Sequence, residues 1–156
     1  MKRNLFSIVI VLMVLLLGLA CSPQATSAPE ASATPNPAVQ GGEVEDQTSL
    51  IDALRAGGAK VELGDTVEQA FFTVAGQILK VNGKDVQVFE YESPEKMEAD
   101  AAQVASDGGS IGTSMVTWVE PPHFFKSGRV LVLYVGEDKA VIDLLKGPLG
   151  EQFAGR

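Results

Sequence analysis

Apolar residues are distributed along this chain in three regimes. After Met1-Lys2-Arg3, residues 5–20 are apolar apart from Ser7 and Gly18. Residues 22–47 then carry almost nothing large and apolar. From residue 48 onward apolar groups return in short periodic clusters separated by turn-forming residues, the pattern of a folded domain. The first cluster predicts a short helix: Ser49 with Asp52 reads as a capping box, Leu50, Ile51 and Leu54 share one face, and Gly57-Gly58 ends it. Residues 60–63 and 71–74 read as brief extended pieces.

Next comes a hairpin, with strands over residues 77–81 and 84–91 joined by Asn82-Gly83, which supply the positive φ angles of a tight turn. A two-residue loop places Leu79 opposite Val86 and Lys80 opposite Asp85. Ser93-Pro94-Glu95 starts a second helix by combining a capping hydroxyl, a proline at the first helical position and an early acid. Met97, Ala101, Val104 and Ala105 form its stripe as far as Ser106-Asp107-Gly108-Gly109. A second hairpin is expected from residues 113–119 and 129–135, joined by a long loop carrying Pro121, Pro122, His123, Phe124 and Phe125. Residues 130–135 are apolar on both faces, as in a central strand. Asp138 caps a third helix with Val141, Leu144 and Leu145 on its inner face, stopped by Gly147-Pro148, and a last turn over 149–153 packs back.

A helix followed by two hairpin-helix units predicts an α+β fold. The expected form is an antiparallel sheet of four or five strands with the helices packed on one face, a two-layer sandwich. The expected organisation is a signal segment over residues 1–20, a linker over 21–47 and one domain over 48–156, a length that suffices for one independent core.

The amino-terminal regime bears on location. A largely apolar stretch of sixteen residues behind two positive charges fits a signal-peptide core better than a spanning helix, which needs about 20. The run ends in Leu17-Gly18-Leu19-Ala20-Cys21, which resembles the lipobox of bacterial lipoproteins, with Gly18 where that pattern usually has Leu. The resemblance covers this segment alone. It implies lipid attachment to the Cys21 thiol, cleavage just before Cys21, and a domain held by its lipid anchor on the extracytoplasmic face of the cell membrane. An ordinary cleaved signal or an uncleaved anchor would explain the apolar run but leave the single cysteine of the chain unexplained. Two or three acyl chains give stable attachment where one binds marginally.

Residues 22–47, rich in Pro, Ala, Ser, Thr and Gly, cannot offset their ordering entropy by burial and read as a flexible tether, with Glu43, Glu45 and Asp46 as a solvated charge run. Once Lys2 and Arg3 leave with the signal, ten basic residues face twenty acidic ones, a net charge near −10. That balance argues against nucleic acid and against electrostatic docking on anionic lipid. One cysteine excludes an intrachain disulfide and any multi-cysteine metal site.

Candidate chemistry is sparse. His123 is the only histidine, so a Ser-His-Asp set would need it with Ser110, Ser114 or Ser127, and no GxSxG elbow is present. A metal at His123 would have only carboxylates as further ligands. The glycines near Gly112 lack both the Lys-Ser/Thr of a P-loop and the spacing of a dinucleotide fingerprint. No cofactor is expected. Trp118, Pro121, Pro122, His123, Phe124 and Phe125 form the candidate partner-binding loop, since loop aromatics and prolines suit partner surfaces, although Trp118 and a phenylalanine would equally serve the core. Parts of residues 113–136 resemble stretches of small exported bacterial proteins of unknown function, a resemblance that implies no activity. The expected function is a non-catalytic binding or accessory module of the cell envelope, whose partner is an envelope protein or ligand. The alternatives are an envelope hydrolase using His123 and an inhibitor of an extracytoplasmic partner acting through the 120–128 loop.

Overall fold

The structure, a computed structural model, describes residues 44–156, and the expected signal segment, Cys21 and the expected tether up to residue 43 lie outside the described residues. The fold is α+β: three helices and a six-stranded antiparallel sheet, with a separate two-stranded hairpin. In chain order the elements are α1 (Gln47–Ala56), β1 (Val61–Val67), β2 (Gly76–Val81), β3 (Lys84–Glu90), α2 (Pro94–Ala101), β4 (Ser110–Ile111), β5 (Ser114–Met115), β6 (Pro122–Ser127), β7 (Val130–Val135), α3 (Lys139–Leu149) and β8 (Ala154–Gly155). The sheet runs β1-β2-β3-β7-β6-β8, and β4 pairs with β5 and, through Ile111, bridges Val104.

The β2–β3 hairpin forms as its turn dictates. Asn82 and Gly83 take φ of 51° and 82°, and the register sets Leu79 against Val86 and Lys80 against Asp85. Next to it β1 carries a bulge, Gly64 and Asp65 standing where β2 has only Ile78. The Gln77 carboxamide donates to the carbonyls of both bulge residues, which replaces the ladder bonds lost there.

Two features of the expected sheet need correction. It has six strands in place of four or five, and the helices do not share one face. Along β7 the side chains alternate: Val130, Val132 and Tyr134 pack with Leu50, Leu54, Val141 and Leu145 of α1 and α3, whereas Leu131 and Leu133 pack with Met97 and Ala101 of α2. The described residues therefore form three layers, with α1 and α3 on one face of the sheet and α2, aided by the loops around Phe72 and Trp118, on the other. A strand apolar on both sides requires cover on both sides.

The expected loop of prolines and aromatics is instead strand β6. Phe124 and Phe125 are fully buried, one in each apolar layer, so the segment gains more as a strand than as a solvated loop. Pro122 is tolerated because it is the first residue of the strand. Its hairpin with β7 turns through Gly128 and Arg129, and of the expected strand over 113–119 only Ser114–Met115 pairs, with Ser110–Ile111. Residues 71–74 form a turn and bend in place of an extended piece, and the final segment adds β8 beside β6.

Helix ends also shift. Asp46, read as solvated charge, is the N-cap of α1, accepting from the Ser49 amide at 2.8 Å while the Ser49 hydroxyl accepts from the Asp46 amide. α3 runs through Gly147-Pro148 to Leu149, whose side chain is buried. A proline this close to the end removes one hydrogen bond, and burial of Leu149 offsets it.

The chain comes in at the β6–β7 turn. The Arg129 amide donates to the Glu45 carbonyl at 2.9 Å and the Ser127 hydroxyl to the Val44 carbonyl at 2.8 Å, while Val44 is buried. Arg129 also reaches Glu90 at 2.6 Å and Asp46 at 3.5 Å. Gly128 makes this approach possible, since a Cβ there would lie 2.5 Å from the Glu45 backbone.

Candidate functional site

β6 separates two ends of the molecule. At its Ser127 end lies Val44, the first described residue; at its Pro122 end lies a rim made by residues 107–121, the β6 start and the C-terminal residues. Six residues at about 3.3 Å each put these ends roughly 17 Å apart.

The predicted site residues divide between core and rim. Phe125 belongs to the layer of α1 and α3, and Phe124 to the layer of α2. His123 is 7% exposed and stacks on Tyr134. Its Nε2 lies 3.0 Å from the Gly136 carbonyl and its Nδ1 2.7 Å from the Gln152 carboxamide. The Gly136 carbonyl only accepts, so Nε2 donates to it, while Nδ1 faces the side-chain oxygen Oε1 of Gln152. Neither ring nitrogen meets a serine or a carboxylate. His123 thus ties β6 to the segments around Gly136 and Gln152.

Trp118, Pro121 and Pro122 do come together. They line a groove of about 400 Å³ with Val116, Val119 and Arg156. Trp118 is half-buried, with its indole N–H donating to the Gly108 carbonyl at 2.7 Å and its ring edge-on to Phe71 and Phe124. Met115 and Val119, which belong to the same stretch, are 91% and 94% exposed. Neither was singled out as a candidate, yet the alternation holds the signal. Val116 and Trp118 turn inward, so Met115, Thr117 and Val119 turn outward, and two of those three outward positions are apolar where a solvated face would be polar.

Glu120 borders this groove and a second, polar one of about 430 Å³ whose lining includes Lys84, Asp85, Glu137 and Asp138. Among the described residues no group of three or more His, Cys, Asp or Glu side chains is placed to hold a metal ion, and no helix is long and apolar enough to cross a membrane.

The other buried polar centre is Asp100, 3% exposed. Its Oδ2 accepts from the Thr73 amide at 2.8 Å, the Thr73 hydroxyl at 2.9 Å and the Tyr91 hydroxyl at 2.9 Å, and its Oδ1 from Gln103 at 3.2 Å. Burial, and then the bond to Asp100 and its charge, push the Tyr91 hydroxyl well above its ordinary range. With four donors satisfied, this centre is a clamp that holds the turn at Thr73 against α2.

Comparison of the chain with protein-family models, with curated proteins and with solved structures returns no match.

Proposed function

We propose that this protein is a lipid-anchored binding module on the extracytoplasmic face of the cell membrane, non-catalytic, with its recognition surface on the rim at the Pro122 end of β6. The observation that carries the reading is the exposure of Met115 and Val119 beside the groove of Trp118, Pro121 and Pro122. Isolated exposed apolar side chains are ordinary, but two on one short stretch next to a tryptophan and two prolines have the composition of a partner-binding centre. The amino-terminal segment supports the anchor: a positive start, a short apolar core, and Ala20-Cys21 at its end. Val44, the first described residue, lies at the far end of β6 from the rim, which supports a surface directed away from the anchor.

The two halves of the reading are tested separately. The intact mass of the protein from the membrane fraction should correspond to a chain beginning at Cys21 with added acyl chains, and Cys21→Ala should abolish both the lipid and membrane retention; an unlipidated mass overturns the anchor. For the surface, a photo-crosslinking residue is placed in turn at Met115, at Val119 and at the α2 position Glu95 of the membrane-bound protein. A discrete adduct from the first two and none from the third is expected, and identical patterns from all three refute the assignment of the rim.

A further inference from the structure

We infer that residues 112–121 form a strap that opens and closes over the α2 face of the sheet while the sheet stays folded, with Trp118 as its latch. The inference goes beyond the proposed function and does not require a partner.

The strap is held at few points. Its amino-terminal part has the short β4–β5 pair, the Gly112 amide bonded to the Gln103 carbonyl at 2.8 Å, and the Val116 amide bonded to the Gly109 carbonyl at 3.0 Å. Its other end is tied where the Gly136 amide meets the Pro121 carbonyl at 2.9 Å. Between Thr117 and Glu120 no backbone hydrogen bond joins the segment to the rest of the described residues. Most of its side chains contribute nothing to closure either, since Thr113, Ser114, Met115, Thr117, Val119 and Glu120 are all exposed.

Closure therefore falls to Val116 and Trp118, the two that pack on the α2 layer. Trp118 does the more specific work: its ring meets Phe71 and Phe124 at centroid distances of 6.3 and 5.9 Å, and its N–H finds the Gly108 carbonyl. That acceptor sits on a rigid post, for Gly108 is packed so tightly that a Cβ would come within 2.9 Å of Pro122 and 3.0 Å of Phe124. Beneath the latch the sheet is independently secured, with β7 paired on both sides to β3 and β6. A segment with few buried contacts and solvated backbone, lying on a fully paired sheet, is what local opening needs. Opening would uncover Phe71 and the edge of Phe124.

Native-state amide hydrogen exchange on the full chain in detergent micelles tests this. The Val116 amide reports the strap and the β7 amides report the sheet. The strap amide should exchange through an opening nearly insensitive to low denaturant, well before the β7 amides. Trp118→Phe, which keeps an aromatic ring and removes the N–H donor, should speed Val116 exchange about threefold to tenfold, the scale of one neutral hydrogen bond, and leave β7 unchanged. Two results overturn the inference: Val116 and β7 sharing one opening free energy, or Trp118→Phe accelerating both in parallel. Either would mean that the strap opens only when the domain unfolds.

Discussion

The Asp100 clamp makes a quantitative prediction. Asp100→Ala removes a buried carboxylate that accepts from Thr73, Tyr91 and Gln103. Bonds to a charged acceptor contribute about 1.5–3 kcal/mol each, but burying the charge costs several kcal/mol, so their sum does not give the effect of the substitution. The fate of the donors does. Thr73 is exposed and rehydrates, whereas the Tyr91 hydroxyl, in a residue only 2% exposed, is stranded, a cost of about 1–3 kcal/mol. With the clamp on the turn lost as well, Asp100→Ala should destabilise by about 3 kcal/mol. Tyr91→Phe in the parent should cost about 1.5–3 kcal/mol, because it deprives a buried carboxylate of a donor. In the Asp100→Ala background the same change removes the stranded hydroxyl and should be neutral or stabilising. A coupling of at least about 1.5 kcal/mol between the two sites is thus expected from the four proteins, read by urea unfolding followed by far-ultraviolet circular dichroism. If Tyr91→Phe costs the same in both backgrounds to within about 0.5 kcal/mol, the hydroxyl and the carboxylate are uncoupled and the clamp is refuted.

The same tyrosine sets an alkaline limit. Its raised folded-state value means that the unfolded chain loses the proton first, so stability present below pH 10 declines as pH rises past it, by about 1.4 kcal/mol per pH unit. Tyr91→Phe lacks this loss, and the stability gap between parent and variant should shrink between pH 10 and 11. At the other end of the scale, Asp46 is held below its ordinary value of 3.8 by the Ser49 amide first, then by the Ser49 hydroxyl and Arg129. A depressed carboxylate stabilises above its unfolded value and loses that contribution as pH falls through the folded one. Asp46→Ala should accordingly cost about 1 kcal/mol at neutral pH and less in acid, once the carboxylate is protonated, while Asp46→Asn keeps most of the cap, as parallel unfolding titrations would show. Gly155→Ala should detach β8, since Gly155 has φ of 109° and a Cβ there would lie 2.0 Å from the Pro122 carbonyl oxygen. The expected cost is about 2 kcal/mol, with loss of protection at the Phe153 amide, which otherwise donates to the Phe124 carbonyl at 2.9 Å; retained protection there would count against it.

What could be read from the residues was whatever local chemistry decides. Asn82-Gly83 admits one kind of turn, that turn admits one register, and the register places Leu79 and Val86 together. Ser93-Pro94 likewise starts α2 in the expected place. Local cues misled where they competed with burial. Pro121-Pro122 reads as loop chemistry, yet the adjacent Phe124 and Phe125 need opposite apolar layers, and only a strand delivers consecutive side chains to opposite faces. Ser49 was a credible helix cap until Asp46, three residues earlier, made the reciprocal pair that leaves fewer donors unsatisfied.

The layer count was accessible and turned on a single strand. Residues 130–135 alternate between two apolar layers with no polar member, and a sheet covered on one face alone would leave Leu131 and Leu133 in water. Exposing two leucines costs about 1.5–3 kcal/mol each, so a two-layer arrangement was already disfavoured by the run that marked β7 as central. The second layer comes from the residues between β3 and β6, namely α2 and residues 102–121, and from the connection between β1 and β2 that carries Phe72. Eight residues of α2 cannot cover the face alone, so the loops supply Phe72 and Trp118 to complete it. The rim proposed for recognition is thus a by-product of the sheet's central strand: the second apolar face demands a strap, and the strap's alternation leaves Met115 and Val119 facing solvent.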